Sequence, residues 1–159
     1  MADARRPDAI IAADAAPRAR PAGYPPDLTA RVAGREKRPL GDQFGLSVFG
    51  VNLTRLAPGA WSALHHRHGK QDEFVYVLEG SPTLVSAAGE TRLSPGMCAG
   101  FPAAGSAHHL ENRTGSDVLI LEIGDRGAGD SVEYPNDDLA AVMGADGRWR
   151  YTRKDGSPL

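Results

Sequence analysis

From Leu46 onward the apolar positions come in short runs that stop at glycine- and proline-rich turns. "LSVFGVNLTRL" is rich in β-branched and aromatic residues and closes on "APGA". "FVYVLEG" at 74–80 ends at Gly80, Ser81 and Pro82. "TLVSA" follows, then a tight turn around Gly89 and the run "TRLSPG". "CAGFPAAG" leads to "AHHLEN", and "DVLILEIG" at 117–124 completes the series. Strands of about five to ten residues with turn signals every ~8–12 positions indicate an all-β sandwich or barrel. No amphipathic helical period is sustained in this span. Asp137 to Met143 is expected to make one short turn of helix. The C-terminal "DGRWRYTRKDGSPL" reads as a last strand or extended arm, with Trp149 and Tyr151 on one face and Arg148, Arg150 and Thr152 on the other.

Residues 1–26 lack this texture. They are rich in Ala, Pro and Arg, and are expected to form a flexible or loosely docked N-terminal arm. Residues 27–159 are expected to form a single domain, with a barrel core at about 45–124 and a C-terminal extension at 125–159.

Composition narrows the function classes. The net charge of −2 gives no excess of positive charge to hold nucleic acid or an anionic membrane. A single cysteine, Cys98, cannot form an internal disulfide and is expected to be a small buried hydrophobe. No apolar run suits a signal peptide or a membrane span, so a cytoplasmic protein is the expectation.

All five histidines fall in two short segments, "HHRH" at 65–68 and "HH" at 108–109. In a strand, side chains two positions apart share a face at ~7 Å. His66 and His68 therefore point one way and Arg67 the other. "GKQD" at 69–72 is expected to be a tight loop that returns the chain as an antiparallel neighbour beginning at Glu73. A lone histidine is more often a satisfied polar group than a ligand, but a His-x-His pair, a nearby Glu and a second His cluster together favour a metal site. Glu111 with Arg113, and Arg67 with Lys70, are expected to be solvated charges, and Trp61 a packing residue.

Gly59, His66-Arg67-His68, Glu73 and Gly80 resemble the first motif of the cupin superfamily, with one extra residue after the glycine. Gly96, Pro102, Gly105, His108 and Asn112 resemble the second, with one insertion in the Pro–Gly segment. Met97 departs from the pattern, standing where many cupins carry Asp. The resemblance covers Gly59 to Asn112, about a third of the chain. It implies a double-stranded β-helix, a jelly-roll barrel with extended N- and C-terminal arms. It also implies metal ligands at His66, His68, Glu73 and His108, with His65 and His109 turned away by strand parity. Such a nitrogen and oxygen set suits one divalent transition metal (Fe, Mn, Ni, Co, Cu or Zn).

Parity from Glu73 places Val75, Val77 and Glu79 inside the barrel and Phe74, Tyr76 and Leu78 outside. Leu110 shares the inner face with His108, and Leu64 and Ser62 share that of His66. These positions describe a mostly aliphatic pocket for a small, partly apolar molecule. The outward apolar positions suggest a homodimer. The expected function is that of a metal-dependent enzyme acting on a small organic molecule: a dioxygenase or other oxidoreductase, an isomerase or a lyase. The alternative is a non-catalytic module that binds a metal or small ligand, and a third reading is a structural barrel that the metal merely staples. No separate general base stands out, Glu79 being a weak candidate.

Overall fold

A computed structural model describes residues 6–19 and 23–159. Its strands, in chain order, are β1 (Arg35–Pro39), β2 (Phe49–Leu56), β3 (Arg67–His68), β4 (Glu73–Glu79), β5 (Thr83–Ser86), β6 (Gly89–Arg92), β7 (Cys98–Phe101), β8 (His108–Glu111), β9 (Val118–Asp125), β10 (Ser131–Glu133), β11 (Ala140–Met143) and β12 (Trp149–Thr152). Two short helices, α1 (Pro26–Thr29) and α2 (Leu40–Phe44), precede β2.

One layer is a five-stranded sheet in the order β1-β2-β9-β4-β7, antiparallel throughout. The other is built from β12-β11-β10-β3 and β6-β5-β8. These two smaller sheets meet at isolated bridges between His66 and His108 and between Trp61 and Glu111. The result is the all-β jelly roll expected from the sequence. Alternation explains how the layers close on each other. Val75 and Val77 of β4, Val118 and Ile120 of β9, Leu56 of β2 and Leu110 of β8 form one core from both layers. Each aliphatic side chain sealed this way contributes roughly 1.5–3 kcal/mol. A second core of Leu64, Val132, Tyr134, Leu139 and Ala141 lies beneath the C-terminal strands, with Tyr24, Trp149 and Tyr151 packed against it.

Several expectations change. Phe74 and Tyr76 do face out, 40% and 38% exposed, opposite the buried Val75 and Val77. Glu79 breaks the alternation. The register between β4 and β9 shifts between Val77 and Glu79, and this bulge turns Glu79 to solvent instead of into the barrel. "GKQD" is not a hairpin: β3 pairs with β10, while β4 pairs with β7 and β9. The loop instead crosses between the layers, tied to the start of β10 by Gly69 N–H to Ser131 O and Lys70 N–H to Asp130. The helical turn expected at Asp137–Met143 is absent, because Ala140–Met143 is held as a strand between β10 and β12. Cys98 is exposed, since it lies on the edge strand β7.

β1 is an edge strand of sequence "REKRP" with no hydrophobic alternation to announce it. Charge and proline suit an edge. The N-terminal segment runs beside it: Arg18 N–H donates to Lys37 O at 2.8 Å, and the Arg38 guanidinium donates to Ala15 O at 2.5 Å.

Candidate metal centre

Four side chains converge at the junction of the two layers. His66 and His68 flank Arg67, whose side chain turns out to an exposed ion pair with Glu133 at 2.6 Å. Glu73 opens β4 and His108 opens β8. The Nε2 atoms of His66 and His108 each lie 3.3 Å from Glu73 Oε2, and His68 Nε2 lies 3.6 Å from Oε1. Ligand atoms of His66, His68 and Glu73 all fall within 4.8 Å of one another. Gly124, the cross-strand partner of Glu73, leaves room for this. A Cβ there would sit 3.3 Å from Asp72 O and 3.7 Å from Glu73 Cγ.

The opposite edge of each ring is tied down. His66 Nδ1 is 2.8 Å from Leu64 O, and His108 Nδ1 is 3.4 Å from Ser106 O. His68 Nδ1 is 2.5 Å from Asp130 Oδ2. These partners are acceptors, so each neutral ring carries its proton on Nδ1 and turns the Nε2 lone pair inward. Three lone pairs and a carboxylate then face one another with no proton between them. Glu73 Oε2 is buried and has no partner in hydrogen-bonding geometry, although 29% of the Glu73 side-chain surface remains open. Burial pushes the Glu73 carboxyl up, but with no cation bound the His108 and His66 rings, once protonated on Nε2 and donating to it, outweigh burial and hold the group well below the usual carboxylate range. An arrangement of bare acceptors around a carboxylate fits a cation. Anchoring each ligand ring by its far nitrogen is how metal-binding histidines are oriented.

His65 and His109 form a separate pair on the other side, Nδ1 to Nδ1 at 3.0 Å. His109 Nε2 donates to Glu111 Oε1 at 2.8 Å, and its ring lies against Trp61 at a centroid distance of 4.4 Å. Trp61 is thus a packing residue. Burial lowers both imidazoles, and for His109 it prevails over the raising influence of Glu111.

His66, His68, Glu73 and His108 lie in a cavity of about 830 Å³. Its lining corrects the expectation of a mostly aliphatic pocket. Arg35, Lys37, Asn52, Glu122, Tyr134 and Tyr151 all face it. Cross-strand partners share a face, and the register explains the polar rank: Val77, Ile120, Thr54 and Lys37 are aligned, as are Val75, Glu122 and Asn52. Glu122 Oε2 accepts from Thr54 Oγ1 at 2.5 Å and forms an ion pair with Lys37 Nζ at 2.8 Å. Asn52 Oδ1 and Asp125 Oδ1 are buried without hydrogen-bond partners. Tyr24 meets Tyr134 and Tyr151 edge to face at 5.9 and 5.8 Å. Burial pushes the Tyr151 hydroxyl up to about 12, so it is a proton donor at ordinary pH.

Two groups of residues escaped the sequence reading. Asp130 belongs to no motif and reaches His68 only through the fold. Glu122 did leave a signal: in "DVLILEIG" it shares parity with Val118 and Ile120, a charge in an inward row.

The family model described as Cupin domain matches residues 52–124. No curated protein sequence gives a significant match. Among solved structures, one from Silicibacter pomeroyi, described as a sugar phosphate isomerase from a cupin superfamily, is 46% identical. The alignment covers 86% of this chain and 87% of that one, with a TM-score of 0.82. The chain belongs to the cupin superfamily. A second match is a structure from Acidithiobacillus ferrooxidans described as a putative sugar phosphate isomerase, 32% identical over 79% of this chain and 80% of that one, TM-score 0.71. A protein from Thermus thermophilus is 30% identical over 66% of this chain and 90% of that one, TM-score 0.52. Cupins commonly bind a divalent metal, and the His66, His68 and Glu73 group of this cupin is one that could hold it. Among the described residues no helix is long and apolar enough to cross a membrane.

Proposed function

We propose that this cupin is a metal-dependent isomerase of a small phosphorylated sugar, with one divalent transition metal held by His66, His68, Glu73 and His108. The observation that carries the reading is the ring of three Nε2 atoms around Glu73, whose buried Oε2 makes no hydrogen bond. A metal bound there would polarise a carbonyl or hydroxyl oxygen of the substrate. The chain's own residues do the rest. Arg35 on the cavity wall supplies positive charge for a phosphate, and Tyr134 and Tyr151 supply hydroxyls for a polyol. Such a lining is poorly suited to an apolar phenol, which weighs against a dioxygenase of aromatic substrates. The two similar structures described as sugar phosphate isomerases, at 46% and 32% identity, support the choice of reaction. As part of this reading the protein is a cytoplasmic homodimer, joined through the outer face that carries Phe74 and Tyr76.

The test is to load the protein separately with Mn, Fe, Co, Ni and Zn and follow aldose and ketose phosphates by NMR. Interconversion of one pair, lost on chelation, is the expected result. Tight binding of sugar phosphates with no conversion by any loaded form would favour the non-catalytic module instead.

A further inference from the structure

An aldose–ketose isomerisation needs a group that takes a proton from one carbon and returns it to the next. Glu73 is committed to the metal, and Glu79 lies outside the barrel. Glu36 is paired with Arg38 at 2.8 Å. We propose that Glu122 is the catalytic base, that Lys37 and Thr54 position it, and that Asn52 receives a hydroxyl of the substrate. This inference rests on the isomerase reading above.

Geometry carries the assignment. Glu73 is opposite Gly124, and Glu122 is two residues along β9 on the same inner face. The two glutamates are therefore diagonal neighbours, ~7–8 Å apart at the backbone. Gly124 on β9, opposite Glu73, and its partner Gly50 on β2 line the same cavity, with the Arg126 guanidinium lying over Gly50. Both contacts to Glu122, the Thr54 hydrogen bond and the Lys37 ion pair, end on Oε2. They fix the carboxylate and leave Oε1 without a hydrogen bond among the described residues. Asn52, in register with Glu122, points a buried and unpartnered Oδ1 into the same space. That acceptor calls for an O–H donor, which a polyol has and an apolar substrate lacks.

The step balances without a co-reactant. Glu122 Oε1 takes the proton from C2 of the aldose. The C2–H electron pair becomes the C1=C2 bond, and the carbonyl pair moves onto O1. The O2 proton passes to O1, the O2 pair forms the new carbonyl, and the C1=C2 pair takes the proton back from Glu122 at C1. One hydrogen has moved between carbons and one between oxygens, and nothing is oxidised or reduced overall.

The experiment uses metal-loaded full-length protein in D₂O with the sugar phosphate that the wild type converts. Wild type should incorporate solvent deuterium at the transferred position. Glu122→Gln should lose both turnover and exchange by about 10²–10⁴-fold. Its metal stoichiometry and its dissociation constant for the sugar phosphate, measured by calorimetry, should stay within about threefold of wild type. Asn52→Ala should instead weaken sugar-phosphate binding about tenfold while keeping exchange in the bound complex. If Glu122→Gln does not fold, Glu122→Asp decides, with exchange reduced about tenfold or more at unchanged binding. Exchange at the wild-type rate in a folded Gln or Asp variant overturns the assignment and leaves the isomerase reading intact. So does wild-type turnover with no deuterium incorporated. A loaded wild type that converts no sugar phosphate overturns the isomerase reading and Glu122's role with it.

Discussion

Asp130→Asn isolates the claim that the ligand rings are oriented from behind. Asp130 is fully buried. One of its oxygens accepts from His68 Nδ1 at 2.5 Å and the other from Lys70 N–H at 2.7 Å. Asparagine keeps the shape and can keep the Lys70 bond through its carbonyl. Its NH₂ then meets the Nδ1–H of His68, two donors facing each other. The ring escapes by moving its proton to Nε2, the nitrogen aimed at Glu73, or by turning away. Losing such a partner typically lowers metal affinity about 10–100-fold, which is about 1.4–2.7 kcal/mol. The assay is competition with a chromophoric chelator at neutral pH, alongside thermal unfolding of the metal-free protein. Arg67→Gln serves as the control, because the Arg67–Glu133 pair is exposed and such pairs are worth ~0–1 kcal/mol. Asp130→Asn that stays folded and binds metal within twofold of wild type would refute the tautomer reasoning.

Substituting His65 or His109 by Gln should leave metal content nearly unchanged. Loss of the His109–Glu111 bond should lower stability by about 1 kcal/mol, read from urea melts, whereas His66→Gln should strip most of the metal. In metal-free protein the Glu73 carboxyl lies below its ordinary value of 4.5. Its contribution to stability is therefore complete above that pH and is lost as pH falls through the depressed folded value. Glu73→Gln should flatten this acid limb, and an equally steep limb in the variant contradicts the electrostatic account. Sedimentation should give a dimer mass at micromolar concentration, and charge placed at both Phe74 and Tyr76 should shift it to monomer. A wild-type monomer would remove the proposed interface.

The residues that come together at Glu73 were legible because local spacing encodes them. His-x-His puts two rings on one face whatever the strand pairs with, and a distant His in a β-run completes the set. What surrounds them was less legible, because it depends on which strands become neighbours. "GKQD" looks like a hairpin turn until Asp130, about sixty positions away, ties it to the other layer. "REKRP" carries no apolar period, yet pairing with β2 turns Lys37 inward to meet Glu122. Parity worked along β4 as far as Val77 and failed at Glu79, where a bulge between the two turns the last side chain of the strand outward. The pocket's polarity was therefore underread. Its charges come from β1, β2 and β9, and the aliphatic reading was drawn from the strands that carry the histidines.

Elemental analysis of the purified protein by plasma mass spectrometry, before and after loading, tests the metal centre most directly. The account predicts one divalent transition metal per chain in wild type. It predicts less than about a tenth of that in a folded His66→Ala/His108→Ala variant, since each lost imidazole removes a direct bond to the ion and leaves the others too few to hold it. Stoichiometric metal retained by the double variant, or a wild type that takes up none on loading, would contradict it.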